Sequence, residues 1–274
     1  MPARHEISRN RALTGLAGAE SDRISSLLES DVALALELEK LEHSGIQVVS
    51  SYDDAYPSAL ADRLGPGAPP VLHVAGPTEL LQVGGVGVVG SRNVGREAME
   101  VAAEVARLAV RERIPVVSGA AWGIDQTAMA AALEAGAQAI WIPADAMSKL
   151  LRQPSVRSPI LDGALCLASP FSPGAGFSVG NAMSRKKLIY ALSQVTLVVT
   201  ADDGTGGTWG GAVEVLQKKI RPVVVWMGAG AGPGNLKLVQ RGAREVSSPE
   251  EVLKLAGEET AASRPPKEQL RLQF

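Results

Sequence analysis

The chain has 274 residues, of which 46% are hydrophobic, with 29 Gly and 17 Pro, enough for one large α/β domain and a small additional piece. Its formal net charge of −2 excludes a basic coat over the whole surface but not a local basic stripe. At 4% aromatic residues it is no obvious binder built on many stacking rings. The single cysteine, Cys166, lies in the apolar run 164–168 and reads as a small buried hydrophobe. His5, His43 and His73 are far apart and give no metal-ligand spacing, so no metal site is expected. No apolar run reaches the length of a membrane span and no leader pattern stands at the start. We therefore expect a cytoplasmic protein with no membrane partner.

Residues 1–20 are polar, Arg-rich and aperiodic, a disordered tail by composition. Residues 21–75 read as a small helix-and-strand segment. Ser21 or Asp22 can cap a helix carrying Ile24, Leu27, Leu28, Leu34, Leu38 and Leu41, with a second cap at Ser30-Asp31 and a stop at Gly45. A strand over 46–50, a turn through residues 52–57, a helical turn at Leu60 and Leu64, and a strand over 71–75 stopped by Gly76-Pro77 complete it. From Gly84 apolar runs alternate with helical patterns. Strands are expected at 86–89, 115–117, 139–142, 165–168, 195–200 and 222–226, and helices at 96–113, 124–135, 181–192 and 209–219. The proline-bearing stretch 143–163 reads as a long loop with a helical turn at 148–152. Helices near 236–241 and over 249–256 follow, and 257–274 reads as a flexible tail. The alternation predicts an α/β fold over 76–256, with a doubly wound, mostly parallel sheet.

Two stretches organise the rest: Val86-Gly-Val-Val-Gly-Ser-Arg-Asn-Val-Gly95 and Val117-Ser-Gly-Ala-Ala-Trp-Gly-Ile-Asp125. In each, an apolar strand breaks into Gly and a small polar residue before a helix begins. Such a turn aims backbone N–H groups and the positive end of the helix at one spot, and glycine lets a phosphate approach it. The two turns are about 30 residues apart, as a βαβ unit requires, so they predict an anion-binding crevice at the carboxyl edge of the sheet. Arg92 adds a bidentate phosphate donor. Gly85-x-Gly87-x-x-Gly90 fits the dinucleotide fingerprint formally. Those glycines fall within the strand, however, and no acidic residue ends the next one, so neither NAD nor another cofactor is expected.

Further motifs come in a fixed order. They are Asp54-Ala-Tyr-Pro57 with Pro69-Pro-Val-Leu72, Val89-Gly-Ser-Arg92, and Val117-Ser-Gly119 with Gly123-Ile-Asp125. Ser184-Arg185 with Leu188-Ile189 and Leu192-Ser193 follow, and the series closes on Gly234-Asn-Leu through Gly242-Ala243. With these motifs the chain resembles the DNA-processing protein A (DprA/Smf) family. The resemblance implies an extended Rossmann-like fold, single-stranded DNA binding, a homodimer, and loading of a RecA-type recombinase in DNA processing and natural transformation, with no catalytic residue. The chain departs from the pattern at several positions. Trp122 stands where the family usually has Arg, Met129 where it has His, and Lys186-Lys187 where it has Asn-Arg. Thr200-Ala201 and the Thr205–Thr208 turn also differ, and no winged helix follows residue 250. These differences mark a divergent member.

The expected phosphate and DNA contacts are Gly90, Ser91 and Arg92, then Gly119, Gly123 and Asp125, where Asp125 either caps its helix or meets the ligand. Arg185, Lys186 and Lys187 form the densest basic cluster within the fold, and the resemblance assigns them to the DNA backbone. Gly204, Thr205, Gly207 and Thr208 make a third amide-rich turn. Lys218, Lys219 and Arg221 end a helix whose dipole accounts for them. A second reading, a nucleotide-binding or nucleoside-monophosphate-cleaving enzyme, rests on Gly206-Gly207-Thr208 followed by Glu214. These residues loosely resemble the Pro-Gly-Gly-x-Gly-Thr-x-x-Glu turn of the lysine-decarboxylase-like phosphoribohydrolases. Glu214 faces either the crevice or the solvent.

Overall fold

Nine strands build the fold: β1 (Gln47–Ser50), β2 (Val71–Ala75), β3 (Gly85–Val89), β4 (Val116–Ser118), β5 (Ala139–Trp141), β6 (Leu165–Ser169), β7 (Ser193–Val198), β8 (Val223–Trp226) and β9 (Arg244–Val246). In the computed structural model, which describes residues 31–262, they join in one sheet of order β1-β2-β6-β5-β4-β3-β7-β8-β9. From β6 across to β9 every neighbouring pair is parallel, while β2 runs antiparallel to β6. The chain travels from β3 outward through β4, β5 and β6, then returns to lay β7 on the other side of β3. That reversal makes a doubly wound sheet with its switch point between β3 and β7. β3 and β6 are buried along their whole length, the expected state of parallel strands covered on both faces.

Helix packing follows from small side chains. Helix Arg96–Arg111 buries Ala98, Ala102, Ala103, Ala106 and Ala109, and helix Ile124–Glu134 buries Ala128, Ala131 and Ala132. The two helices pack on each other, and helix Ile124–Glu134 packs on β3 and β4. The core also holds Leu72, Leu81, Ile140, Ile142, Leu188, Leu192 and Val225. Cys166 sits within it, and burial pushes its thiol up to about 12, so it is an inert hydrophobe at neutral pH.

Several elements differ from expectation. We expected β2 to belong to a small N-terminal segment ending at residue 75. Instead it pairs His73 with Ser169, Val74 with Ala168 and Ala75 with Leu167, and the chain divides between Gln47 and Val48. Before that division the described part is helix Asp31–His43, followed by Gly45 at φ 75°. The tail expected over 1–20 and the start of the first helix lie outside the described residues, as do residues 263–274. Helix Pro154–Leu161 forms where we expected a loop: Pro154 sits at its first turn, where a missing N–H is harmless, and Pro159 is carried inside it. The stretch 181–192 is two helices, Val179–Ser184 and Lys186–Leu192, meeting at Arg185. Helix Glu79–Val83 and β9 are additional. The last helix, Pro249–Ala262, continues through 257–262, where the sequence predicts a flexible tail.

Asn235 pins the carboxyl edge of the sheet. Its Oδ1 accepts from Ala201 N at 2.9 Å, and its Nδ2 donates to Val199 O at 2.8 Å and Trp226 O at 2.7 Å, all buried. Asn235→Ala strands one donor and two acceptors and is expected to lower stability by about 3 kcal/mol. Asn235→Asp, which cannot donate, should be no better. Urea unfolding checks this, and a loss below ~1 kcal/mol would mean the three bonds carry little net energy.

Candidate functional site

A crevice of about 480 Å³ opens at the switch point. Gly90, Ser91 and Arg92 line it from the end of β3. Gly207 and Thr208 line it from the start of helix Gly206–Lys218, and Asp125, Arg185, Lys186 and Tyr190 form its walls and floor. Arg92 and Arg185 thus stand on the same face, as a continuous phosphate track requires. A larger and shallower hollow of about 940 Å³ lies between helices Arg96–Arg111 and Ile124–Glu134. It shares Arg92 but not the convergence of buried charge.

The first turn corrects our reading of its amides. Gly90 N donates to Asp125 Oδ1 at 3.3 Å, and Ser91 N donates to Thr200 Oγ1 at 3.0 Å and to Thr200 O at 3.1 Å. Both amides are therefore spent on the protein itself. Asp125 bonds across to Gly90, so it ties the two glycine turns together. Burial raises its carboxyl above the usual range, and the charge of Arg185 opposes that shift. Gly123, at φ +91°, joins the same clamp: a Cβ there would lie 2.8 Å from Ser91 O. Gly119 is needed for space, since a Cβ would stand 2.7 Å from Arg185 Nη2 and 2.9 Å from Asp125 Oδ2.

The basic triplet divides its labour. Arg185 is buried, and its Nη1 donates to Gly119 O at 2.6 Å and Ile142 O at 2.7 Å, which holds the ends of β4 and β5. Burial lowers its affinity for the proton, while Asp125 raises it. Lys186 extends into the crevice, where burial pulls its ammonium down to about 8 and the charge of Asp125 partly restores it. A Cβ on Gly207 would collide with Lys186 Nζ, so the ammonium lies directly against the first turn of helix Gly206–Lys218. That turn has no side-chain cap. The carboxylates of Asp125 and Asp202 share the crevice with these positive groups, and an anion entering it would meet both the ammonium and the helix start.

Lys187 turns away to pair with Glu214 at 3.2 Å, and Glu214 also takes Lys218 at 2.6 Å. Neither Lys187 nor Glu214 lines the crevice, and Gly204 and Thr205 are exposed outside it. Glu214 is therefore not placed to act on a nucleotide bound there. Three buried polar atoms around the crevice have no protein partner among the described residues: Ser91 Oγ, Arg185 Nε and Tyr190 OH. Thr200, Tyr190 and Phe177 went unread in the sequence. Thr200 carried a signal as a departure from the family's strand end, whereas nothing in the pattern marked Tyr190 or Phe177.

A doubly wound α/β protein with a crevice at its switch point lined by Arg92, Arg185 and Lys186 is the class this geometry defines. The chain belongs to the DNA recombination-mediator protein A family, whose model matches residues 47–257. Two Mycobacterium tuberculosis proteins bearing the name DNA processing protein DprA, from strains CDC 1551 / Oshkosh and ATCC 25618 / H37Rv, are 27% identical to it over 236 residues, or 81% of this chain. The chain spans 60% of the length of those relatives. The structure of DNA processing protein A from Streptococcus pneumoniae superposes with a TM-score of 0.71 at 25% identity, covering 88% of this chain and 83% of that one. The Helicobacter pylori protein, described for its single-stranded DNA binding, superposes with a TM-score of 0.63 at 21% identity, over 78% and 98% of the two chains. Among the described residues no helix is long and apolar enough to cross a membrane, and no group of three or more His, Cys, Asp or Glu is arranged to hold a metal ion.

Proposed function

We propose that this chain binds single-stranded DNA by its sugar-phosphate backbone in the switch-point crevice and acts as a recombination mediator without catalysing a reaction. The observation that carries this reading is Lys186 Nζ set against the uncapped start of helix Gly206–Lys218, with Arg92 lining the same crevice. A phosphate between them accepts from the ammonium and from the open amides of Gly207 and Thr208. Single-stranded DNA is also what the Helicobacter pylori protein is described as binding. A homodimer and a RecA-type recombinase as the recruited partner belong to the same reading and come from the family. Cytoplasmic location follows from that role.

The test is a salt titration of oligothymidylate binding with Arg92→Ala. We expect weaker binding and a slope of log K against log salt flattened by roughly one phosphate's share. A variant matching the unmodified protein at every salt concentration would remove the crevice from the binding path. Incubation with nucleoside monophosphates should release no free base; turnover abolished by Glu214→Gln would favour an enzyme instead.

A further inference from the structure

Met183 lines the crevice from the short helix Val179–Ser184, two residues before the basic triplet. A Cβ on Gly207 would lie 3.5 Å from its Sδ, and Lys186 Nζ reaches the same point from the next helix. A Cβ on Gly210 would lie 3.7 Å from the Met183 methyl carbon, Cε. Gly207 and Gly210 share one face of their helix, so the Met183 side chain runs along the first turn of helix Gly206–Lys218, which no side chain caps. A thioether accepts hydrogen bonds only weakly, so Met183 stands beside that helix start without satisfying it. The sulfur is also within reach of solvent. Of the methionines among the described residues Met183 is the most exposed, at 43%, whereas Met129 and Met147 are buried and Met99 and Met227 half-buried.

We propose that Met183 is an oxidation-sensitive modification site, and that its sulfoxide closes the crevice to phosphate. This rests on the DNA-binding reading above. Hydrogen peroxide delivers one oxygen to the thioether: the O–O bond breaks, an S–O bond forms and the sulfur loses two electrons. The second peroxide oxygen takes both protons and leaves as water. The product is polar, with an oxygen that accepts hydrogen bonds where the thioether scarcely does. Beside Lys186 Nζ and the start of helix Gly206–Lys218, that oxygen takes the donors a phosphate would take. It also brings partial negative charge into a space that already holds Asp125 and Asp202. The strand is therefore held tightly over the thioether and loosely over the sulfoxide. Sulfoxide reductases, one for each epimer, return the thioether, so the change is reversible.

The test treats the full chain with dilute hydrogen peroxide and follows oligothymidylate binding beside peptide mass spectrometry. Met183 should gain an oxygen ahead of Met99 and Met227. Affinity should fall on the order of tenfold, the worth of one hydrogen bond to a charged group, and the two reductases together should restore it. Met183→Leu should bind equally before and after treatment. Met183→Gln, which sets a carbonyl acceptor near the same place, should weaken binding without any peroxide. Three results overturn the site: Met99 or Met227 oxidised first, a protein oxidised at Met183 that binds as before, or a peroxide loss of the same size in Met183→Leu. Each leaves the crevice standing as long as Lys186→Ala weakens binding. If instead Arg92→Ala with Lys186→Ala binds as tightly as the unmodified protein, the crevice reading itself fails.

Discussion

Replacing Arg185 by alanine is expected to remove 3–5 kcal/mol of stability, roughly what deleting one partner of a buried charge pair takes away. The guanidinium holds Gly119 O and Ile142 O and offsets the buried charge of Asp125. Without it, two strand-end carbonyls lose a donor and the buried Asp125 carboxylate keeps only Lys186 as a compensating cation. The defect should depend on pH. Burial already places the folded-state carboxyl of Asp125 above its ordinary 3.8, and losing Arg185 raises it further. A group whose folded pKa lies above its unfolded one contributes stability that is full below the unfolded value and is lost as pH rises toward the folded value. Arg185→Ala should therefore be least defective near pH 4 and most defective at neutral pH. Adding Asp125→Asn should recover part of the loss, because the two changes share one interaction. Arg185→Lys should rescue poorly, since a point charge on a flexible stem cannot reproduce the planar fork. Urea unfolding across pH reads all of these, and an Arg185→Ala protein as stable as its parent would show the guanidinium to be a surface contact only.

Lys186 should dominate affinity rather than stability. Its ammonium titrates near 8, within the range where binding can be measured. A lysine is charged below its pKa, so single-strand affinity should be highest at pH 7 and fall as pH rises through 8 toward 9. Lys186→Ala should weaken binding about 30-fold, the effect of losing one hydrogen bond to a charged group worth ~2 kcal/mol. It should also erase the alkaline step. Lys186→Arg keeps its charge throughout, so it should bind without that step. A pH profile identical in Lys186→Ala and the unmodified protein would place the titrating group elsewhere. Gly207→Ala offers a second route to the same defect, because the added carbon occupies the position of the ammonium.

The alternation of apolar runs and helical stretches was enough to place most of the parallel strands, because strands buried on both faces write themselves as unbroken apolar runs. β9 carries the short sequence Arg244–Val246, too brief and too charged for any period to show. β2 read correctly as a strand, but its neighbour could not be read, since pairing with β6 joins residues nearly 100 positions apart. In the site, the glycine turns and Arg92 were legible as strand-to-helix junctions. The split of the basic triplet was not. Consecutive residues on helical turns point about 100° apart, so one cation goes inward to carbonyls, one into the crevice and one to Glu214. Nor could sequence show that the Gly90 and Ser91 amides are already taken by Asp125 and Thr200, residues 35 and 109 positions away.

Bound phosphates are expected to sit between the Arg92 turn and the start of helix Gly206–Lys218. Amide hydrogen exchange with and without an oligothymidylate measures it locally, because a bound anion slows exchange at the amides that hold it. The prediction is slowed exchange in peptides covering 92–95 and 205–208, little change in helix Pro249–Ala262, and loss of the slowing in Lys186→Ala. Slowing confined to other segments, with 205–208 exchanging at the unliganded rate while DNA is bound, would contradict it.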